Sequence, residues 1–195
     1  MEKSYSLLAS NHLKLIDDLE NNKEKFESVH FDLIDNTFCE VLGLSIVTLE
    51  QLASETDYKI DLHLLVENPN KILKRINKLN IRSYIFHSET ITSEEFNKID
   101  NTLSKKGIGL LPDTEMSKLN EYIQSADFIL FLCIVPSLFP SDDSIDPIKR
   151  VKEFKKLYPN FTGGLMVDGG ITQDHISHLE ELGVTNVVLG KNFFS

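Results

Sequence analysis

Eight short apolar runs recur along the chain, and each of the first seven is followed by residues with the spacing of an amphipathic helix. The runs lie at residues 5–9, 29–35, 59–66, 82–87, 107–112, 127–135, 164–170 and 184–190. The sixth run is apolar almost throughout, which is typical of a strand buried on both faces of a sheet. Strands that alternate with helices in this way predict the α/β class, with helices covering a parallel sheet.

Eight such units predict a closed (β/α)8 TIM barrel that forms a single domain over residues 1–195. An open doubly wound sheet is the alternative, and it needs fewer strands. The chain is short for a barrel of about 250 residues, and it lacks residues for the usual final helix. We therefore expect the outer face of residues 184–189 to expose apolar side chains, which a homo-oligomer, first of all a dimer, would cover.

Composition limits the partners of this chain. Its 195 residues are 41% hydrophobic and carry a net charge of -10, which argues against nucleic acid as a partner and suits a cytoplasmic enzyme. No apolar run approaches the roughly 20 residues of a membrane-spanning helix, so we expect no membrane partner. Cys39 and Cys133 lie in apolar surroundings, which favours reduced thiols, although a disulfide between them stays open.

Polar side chains within the apolar runs mark the candidate site. His30 and Asp32 are two residues apart on the second predicted strand, so both side chains point to the same face. The third strand brings His63, and Asp168 ends the seventh. Because the carboxyl ends of barrel strands meet at one mouth, these side chains predict a metal site with two carboxylates.

Other polar residues have plainer interpretations. Asp168 precedes two glycines, so it could instead be only a turn residue. His12, His175 and His178 lie on helical patterns and are expected at the surface. His87 ends the fourth strand, where it could support a ligand or form a wall of the pocket.

Three segments carry a family resemblance. Residues 30–35 read His-Phe-Asp-Leu-Ile-Asp, residues 61–66 read Asp-Leu-His-Leu-Leu-Val, and residues 167–171 read Val-Asp-Gly-Gly-Ile. In this order and spacing they resemble the His-x-Asp-x-Met-Asp, Asp-x-His-Leu-Met and Val-Asp-Gly-Gly-Ile motifs of ribulose-phosphate 3-epimerases and their hexulose-phosphate relatives.

The resemblance implies a metal-dependent isomerase that acts on a phosphorylated ketose. It implies that a divalent metal, commonly Zn²⁺ with Fe²⁺, Mn²⁺ or Co²⁺ also used, is bound by His30, Asp32, His63 and Asp168. It also implies that Asp32 and Asp168 are the two acid/base groups. The expected substrate contacts come from Ser6, His63, Gly169, Gly170, Gly190 and Lys191.

The chain departs from the family in two regions. Three methionines of the family become Ile34, Leu65 and Leu132, which keep the site apolar. The sixth loop begins at Pro136 and has no glycine to offer backbone N–H groups to a phosphate. We expect Lys191 to supply positive charge instead, and the length of the sugar stays open.

Two other functions remain as alternatives. Phosphate-binding decarboxylases of similar fold use an Asp-x-Lys-x-x-Asp strand, whereas residues 32–35 here contain no lysine. A divergent barrel with an altered substrate or without efficient turnover would serve as a binding or regulatory protein. The complete set of four predicted ligands argues against that second alternative.

Overall fold

The structure, a computed structural model, describes residues 1–100, 104–137, 144–190 and 193–194. Eight parallel strands form a closed barrel in sequence order, with the last strand pairing with the first. The strands are β1 (Glu2–Ser6), β2 (Ser28–Ile34), β3 (Ile60–Leu65), β4 (Ser83–His87), β5 (Lys105–Leu110), β6 (Phe128–Leu132), β7 (Gly164–Asp168) and β8 (Asn186–Leu189). The predicted TIM barrel is therefore confirmed, and the open sheet is excluded.

Helices connect the strands on the outside of the barrel. In the described part of the chain the α-helices are α1 (Leu15–Asn22), α2 (Ile46–Glu55), α3 (Pro69–Ile76), α4 (Ser93–Lys98), α5 (Pro147–Leu157) and α6 (Gln173–Glu181). A six-residue 3₁₀ helix, Met116–Glu121, takes the place of the predicted helix between β5 and β6. Its first residue follows Glu115, whose side chain makes no capping hydrogen bond. Asp113 and Thr114, the residue types in this segment that favour a helix start, therefore begin no regular α-helix.

Two other helices start where the sequence indicates a cap, at Asn68-Pro69 and at Thr92 with Glu95 three residues later. The Asn68 side chain accepts a hydrogen bond from the Lys71 N–H at 3.1 Å, and Pro69 occupies the first turn of α3. Thr92 and Glu95 form a reciprocal capping box at the start of α4. These short-range signals position the helices because they satisfy backbone N–H groups that a helix leaves unpaired.

The first strand lies earlier in the chain than its hydropathy suggests. It was predicted at residues 5–9 but is observed at Glu2–Ser6, and Leu7–Ala9 form a 3₁₀ turn. Its first residues, Glu2 and Lys3, are polar and exposed, so the apolar pattern missed them. Pairing with β8 makes them part of the strand.

Polar groups close the bottom of the barrel, at the amino ends of the strands. Asp61 on β3 is fully buried, and its carboxylate accepts a hydrogen bond from Arg82 Nη2 at 2.5 Å. The same carboxylate accepts hydrogen bonds from Ser28 at 2.8 Å and Ser83 at 2.5 Å. These bonds hold the pKa of Asp61 below its usual value although burial raises it, so the charge inside the barrel is compensated.

The apolar outer face of β8 is covered within the chain, contrary to expectation. Val187 and Leu189 are 0% and 1% exposed. The ring of Phe194 packs against those of Tyr5 and Phe26, with centroid distances of 4.1 and 6.0 Å. The expected exposed patch is therefore wrong, and the homo-oligomer inferred from it remains a prediction without this support.

Two further expectations concern thiols and membranes. Cys39 and Cys133 are both buried and free, so the prediction of reduced thiols is confirmed.

Over the ranges that the structure describes, none of the helices combines the length and apolar character that crossing a bilayer requires.

We predict that Phe194→Ala lowers the free energy of unfolding by about 3 kcal/mol, because it leaves a cavity beside Tyr5 and Phe26. Urea unfolding followed by circular dichroism measures this change. The control is Leu13→Ala, since Leu13 is 96% exposed and its loss should change stability by less than about 0.5 kcal/mol. Equal stability of both variants would contradict the packing role of Phe194.

Candidate metal and active site

Three strands bring the four predicted ligands together at the carboxyl end of the barrel. His30 and Asp32 are two residues apart on β2, so both side chains point into the barrel. The register between β2 and β3 places Asp32 opposite His63. Asp168 reaches the same place from the end of β7. One ligand atom from each of the four side chains lies within 4.8 Å of every other one.

The separations between these atoms suit a small divalent cation. His63 Nδ1 lies 2.9 Å from Asp32 Oδ1 and 3.1 Å from His30 Nε2. His30 Nε2 lies 3.2 Å from Asp32 Oδ1 and 3.4 Å from Asp168 Oδ2. Ligand atoms placed tetrahedrally at about 2.1 Å from a zinc ion are about 3.4 Å apart, so the four side chains fit such an ion.

Burial and charge set the protonation of the cluster. Burial alone lowers the pKa of His30, but the carboxylates of Asp32 and Asp168 raise it well above its usual value. Burial lowers the pKa of His63 to about 4, and the nearby His87 adds to this shift. Burial raises the pKa of Asp32, but His30 and His63 together hold it below its usual range. Near neutral pH the ionised Asp32 and the neutral His63 are thus in the forms that bind metals, whereas His30 would release a proton when a metal ion binds.

The two ring nitrogens of His30 have different surroundings. Within the described ranges, His30 Nδ1 is buried without a hydrogen-bond partner, so its hydrogen-bonding capacity is not used by a structural network. The other nitrogen of the ring, Nε2, faces both carboxylates. Nε2 is thus the nitrogen of this ring that is placed to bind an ion held by the two carboxylates.

A cavity of about 790 Å³ lies above the cluster. Both carboxylates, Asp32 and Asp168, line it, whereas His30 and His63 are fully buried beneath. Its apolar wall includes Ile34, Leu65, Leu132 and Val188. The carboxylates therefore face a space large enough for a small sugar phosphate, whereas the imidazoles do not reach it.

Four of the predicted substrate contacts line this cavity, whereas His63 is buried beneath it and does not. Ser6, Gly169, Gly170 and Gly190 all line it, and Lys191 lies outside the described residues. Gly169 has φ +88°, and a Cβ there would come within 2.5 Å of the Ile134 side chain. Only glycine fits this turn, which leaves its backbone open to the cavity.

The sequence interpretation left the role of His87 open and missed Glu89. His87 Nε2 lies 2.7 Å from His63 Nε2, and His87 Nδ1 lies 3.2 Å from Glu89 Oε2. Burial raises the pKa of Glu89, but hydrogen bonds from His87, Thr114 and the Leu111 N–H lower it to about 2. The available signal was the His-x-Glu spacing at the end of a strand next to β3.

Comparisons with known proteins agree with this geometry. The family model described as "Ribulose-phosphate 3 epimerase family" matches residues 3–194. The ribulose-phosphate 3-epimerase of Buchnera aphidicola subsp. Acyrthosiphon pisum is 25% identical over 97% of this chain and 86% of its own length. The enzyme of the same name from Helicobacter pylori strain J99 is 26% identical over 100% of this chain and 91% of its own.

A solved structure adds evidence for the fold alone. The 3-keto-L-gulonate-6-phosphate decarboxylase of Vibrio cholerae superposes with a TM-score of 0.66 at 10% identity, covering 97% of this chain and 87% of that one. The family match, by contrast, spans nearly the whole sequence, including all four clustered side chains. The chain belongs to the ribulose-phosphate 3 epimerase family.

Proposed function

We propose that this chain is a metal-dependent ketose-phosphate 3-epimerase that interconverts ribulose 5-phosphate and xylulose 5-phosphate. The observation that carries the proposal is the pair of carboxylates, Asp32 and Asp168, which line one cavity and each contact the buried His30. They come from β2 and β7, which are separated around the barrel by β1 and β8. Two acids that reach a substrate from different directions suit inversion of a carbon centre.

The reaction needs a proton removed from C3 and another returned on the opposite face. One carboxylate takes the C3 proton, which the neighbouring C2 carbonyl makes weakly acidic, and the resulting enediolate carries the negative charge. The other carboxyl group then delivers a proton to the opposite face, so atoms and charge balance. His30, Asp32, His63 and Asp168 would hold a divalent ion, and the positive charge of that ion would stabilise the enediolate.

The apolar wall supports the proton transfers. Ile34, Leu65 and Leu132 line the cavity beside the carboxylates. These side chains exclude water from the reacting carbon, which protects the enediolate from random protonation and strengthens electrostatic interactions. They occupy positions where the family has methionine, so the wall differs in shape but keeps its apolar character.

The metal site is tested first. His63→Ala should remove most of the zinc bound by the purified protein and most of its epimerase activity, because it takes away one of four ligands. Elemental analysis after dialysis against zinc measures the bound metal. His178→Ala is the control, since His178 is exposed on α6 and should leave the metal content unchanged. A wild-type protein that takes up no divalent metal would contradict the site.

The two-base mechanism predicts complementary defects. Asp32→Asn and Asp168→Asn should each lower epimerisation by about 10²- to 10⁴-fold, because one proton carrier is lost. In D₂O each variant should exchange the C3 proton of one epimer only, and the two variants should select opposite epimers. NMR follows the exchange, and metal content is measured in parallel. A metal-loaded Asp168→Asn protein with the wild-type rate would remove Asp168 from the mechanism.

The phosphate end is tested through Lys191. Lys191→Ala should raise KM for the phosphorylated substrate more than it lowers kcat, because a lysine charge there would bind phosphate without touching C3. Steady-state kinetics on pentulose and hexulose phosphates give both constants and the preferred sugar length. Lys152→Ala, on α5, serves as the charge-matched control. An unchanged KM would mean that the phosphate is held elsewhere, and absence of turnover on every sugar would favour a binding protein.

A further inference from the structure

A line of three side chains leads from the metal cluster into the protein. His63 Nδ1 faces Asp32 and His30, while His63 Nε2 points away and lies 2.7 Å from His87 Nε2. His87 Nδ1 in turn lies 3.2 Å from Glu89 Oε2. Both imidazole rings are fully buried, so water does not compete for these nitrogens.

The chemistry of imidazole allows one arrangement of hydrogens along this line. If His63 offers the lone pair of Nδ1 to a metal, its single hydrogen must sit on Nε2. The Nε2 of His87 must then accept that hydrogen bond, so the hydrogen of His87 sits on Nδ1. That N–H donates to the carboxylate of Glu89, which only accepts when ionised.

The two outer members of the line are themselves held in place. Glu89 Oε1 accepts the Leu111 N–H at 3.0 Å and also contacts the Thr114 hydroxyl, which leaves Oε2 for His87. The ring of His87 stacks on that of His63, with centroids 5.0 Å apart and an angle of 23° between planes. A Cβ at Gly109 would come within 3.2 Å of the His87 ring, so glycine there leaves room for it.

We infer that His87 and Glu89 are positioning residues that fix the tautomer and the orientation of His63 as a metal ligand. The inference rests on the proposed metal site. The negative charge of Glu89 strengthens the hydrogen bond from His87 Nδ1–H and makes His87 Nε2 a stronger acceptor. The stronger hydrogen bond from His63 Nε2–H in turn makes His63 Nδ1 a better electron donor toward a cation. Neither residue lines the substrate cavity, so their effect reaches the reaction only through His63.

Zinc affinity of purified variants, measured by competition with a chromophoric chelator, tests this role. His87→Leu removes the acceptor for His63 Nε2–H and should weaken zinc binding by about 10- to 100-fold. His87→Gln should restore most of the affinity, because its side-chain oxygen can accept in place of Nε2. Glu89→Gln keeps a hydrogen-bond acceptor for His87 but removes the negative charge. This variant should therefore lose less zinc affinity than His87→Leu.

Ser88→Ala is the matched control. Ser88 lies between the two residues, is buried, and its hydroxyl has no hydrogen-bond partner within the described ranges. Its variant should bind zinc like the wild type. The melting temperature of each metal-free variant is measured as well, because a purely structural role would lower that temperature without changing zinc affinity in the folded protein.

A second measurement uses the wild type and does not depend on the folding of a variant. Two-dimensional ¹⁵N NMR of the zinc-loaded protein should show the hydrogen of His63 on Nε2 and that of His87 on Nδ1. The opposite tautomer of either ring overturns the inference, as does a His87→Leu protein with wild-type zinc affinity. A wild type that binds no zinc would instead overturn the metal site and the proposed function with it.

Discussion

The register between β2 and β3 is the constraint on which the rest of the site depends. It pairs Asp32 with His63, and this pairing brings their side chains within 2.9 Å at the carboxyl end of the barrel. A slip of one residue would turn His30 and Asp32 outward into the apolar layer beneath the helices. The closed barrel prevents such a slip, because every strand is held by two neighbours.

The same inward alternation divides the barrel interior into a structural end and a functional end. On β3, Asp61 and His63 both face inward, two residues apart. Asp61 is neutralised by Arg82 and surrounded by hydroxyl groups, so its charge serves stability. His63 faces Asp32 and His30, where charges are left to attract a cation. Two polar residues on one strand therefore have different roles because their surroundings differ.

Similarity in fold and similarity in chemistry rest on different evidence. The decarboxylase from Vibrio cholerae shares the barrel at 10% identity, which shows how widely this backbone accommodates different sequences. In this chain the barrel carries the four clustered side chains of His30, Asp32, His63 and Asp168. The line from His63 through His87 to Glu89 links this cluster to the loop that follows β5.

Sequence alone determined the barrel, the helix caps at Asn68 and Thr92, and the four clustered side chains, because these follow from periodicity and local chemistry. It placed β1 too late, and it missed the burial of the outer face of β8 and the packing of Phe194 on Tyr5, since these depend on contacts between distant parts of the chain. The link from His63 to Glu89 was also hidden in the sequence. Only the tertiary structure decided it, because the two residues lie on separate segments whose distance is set by the packing of β3 against β4.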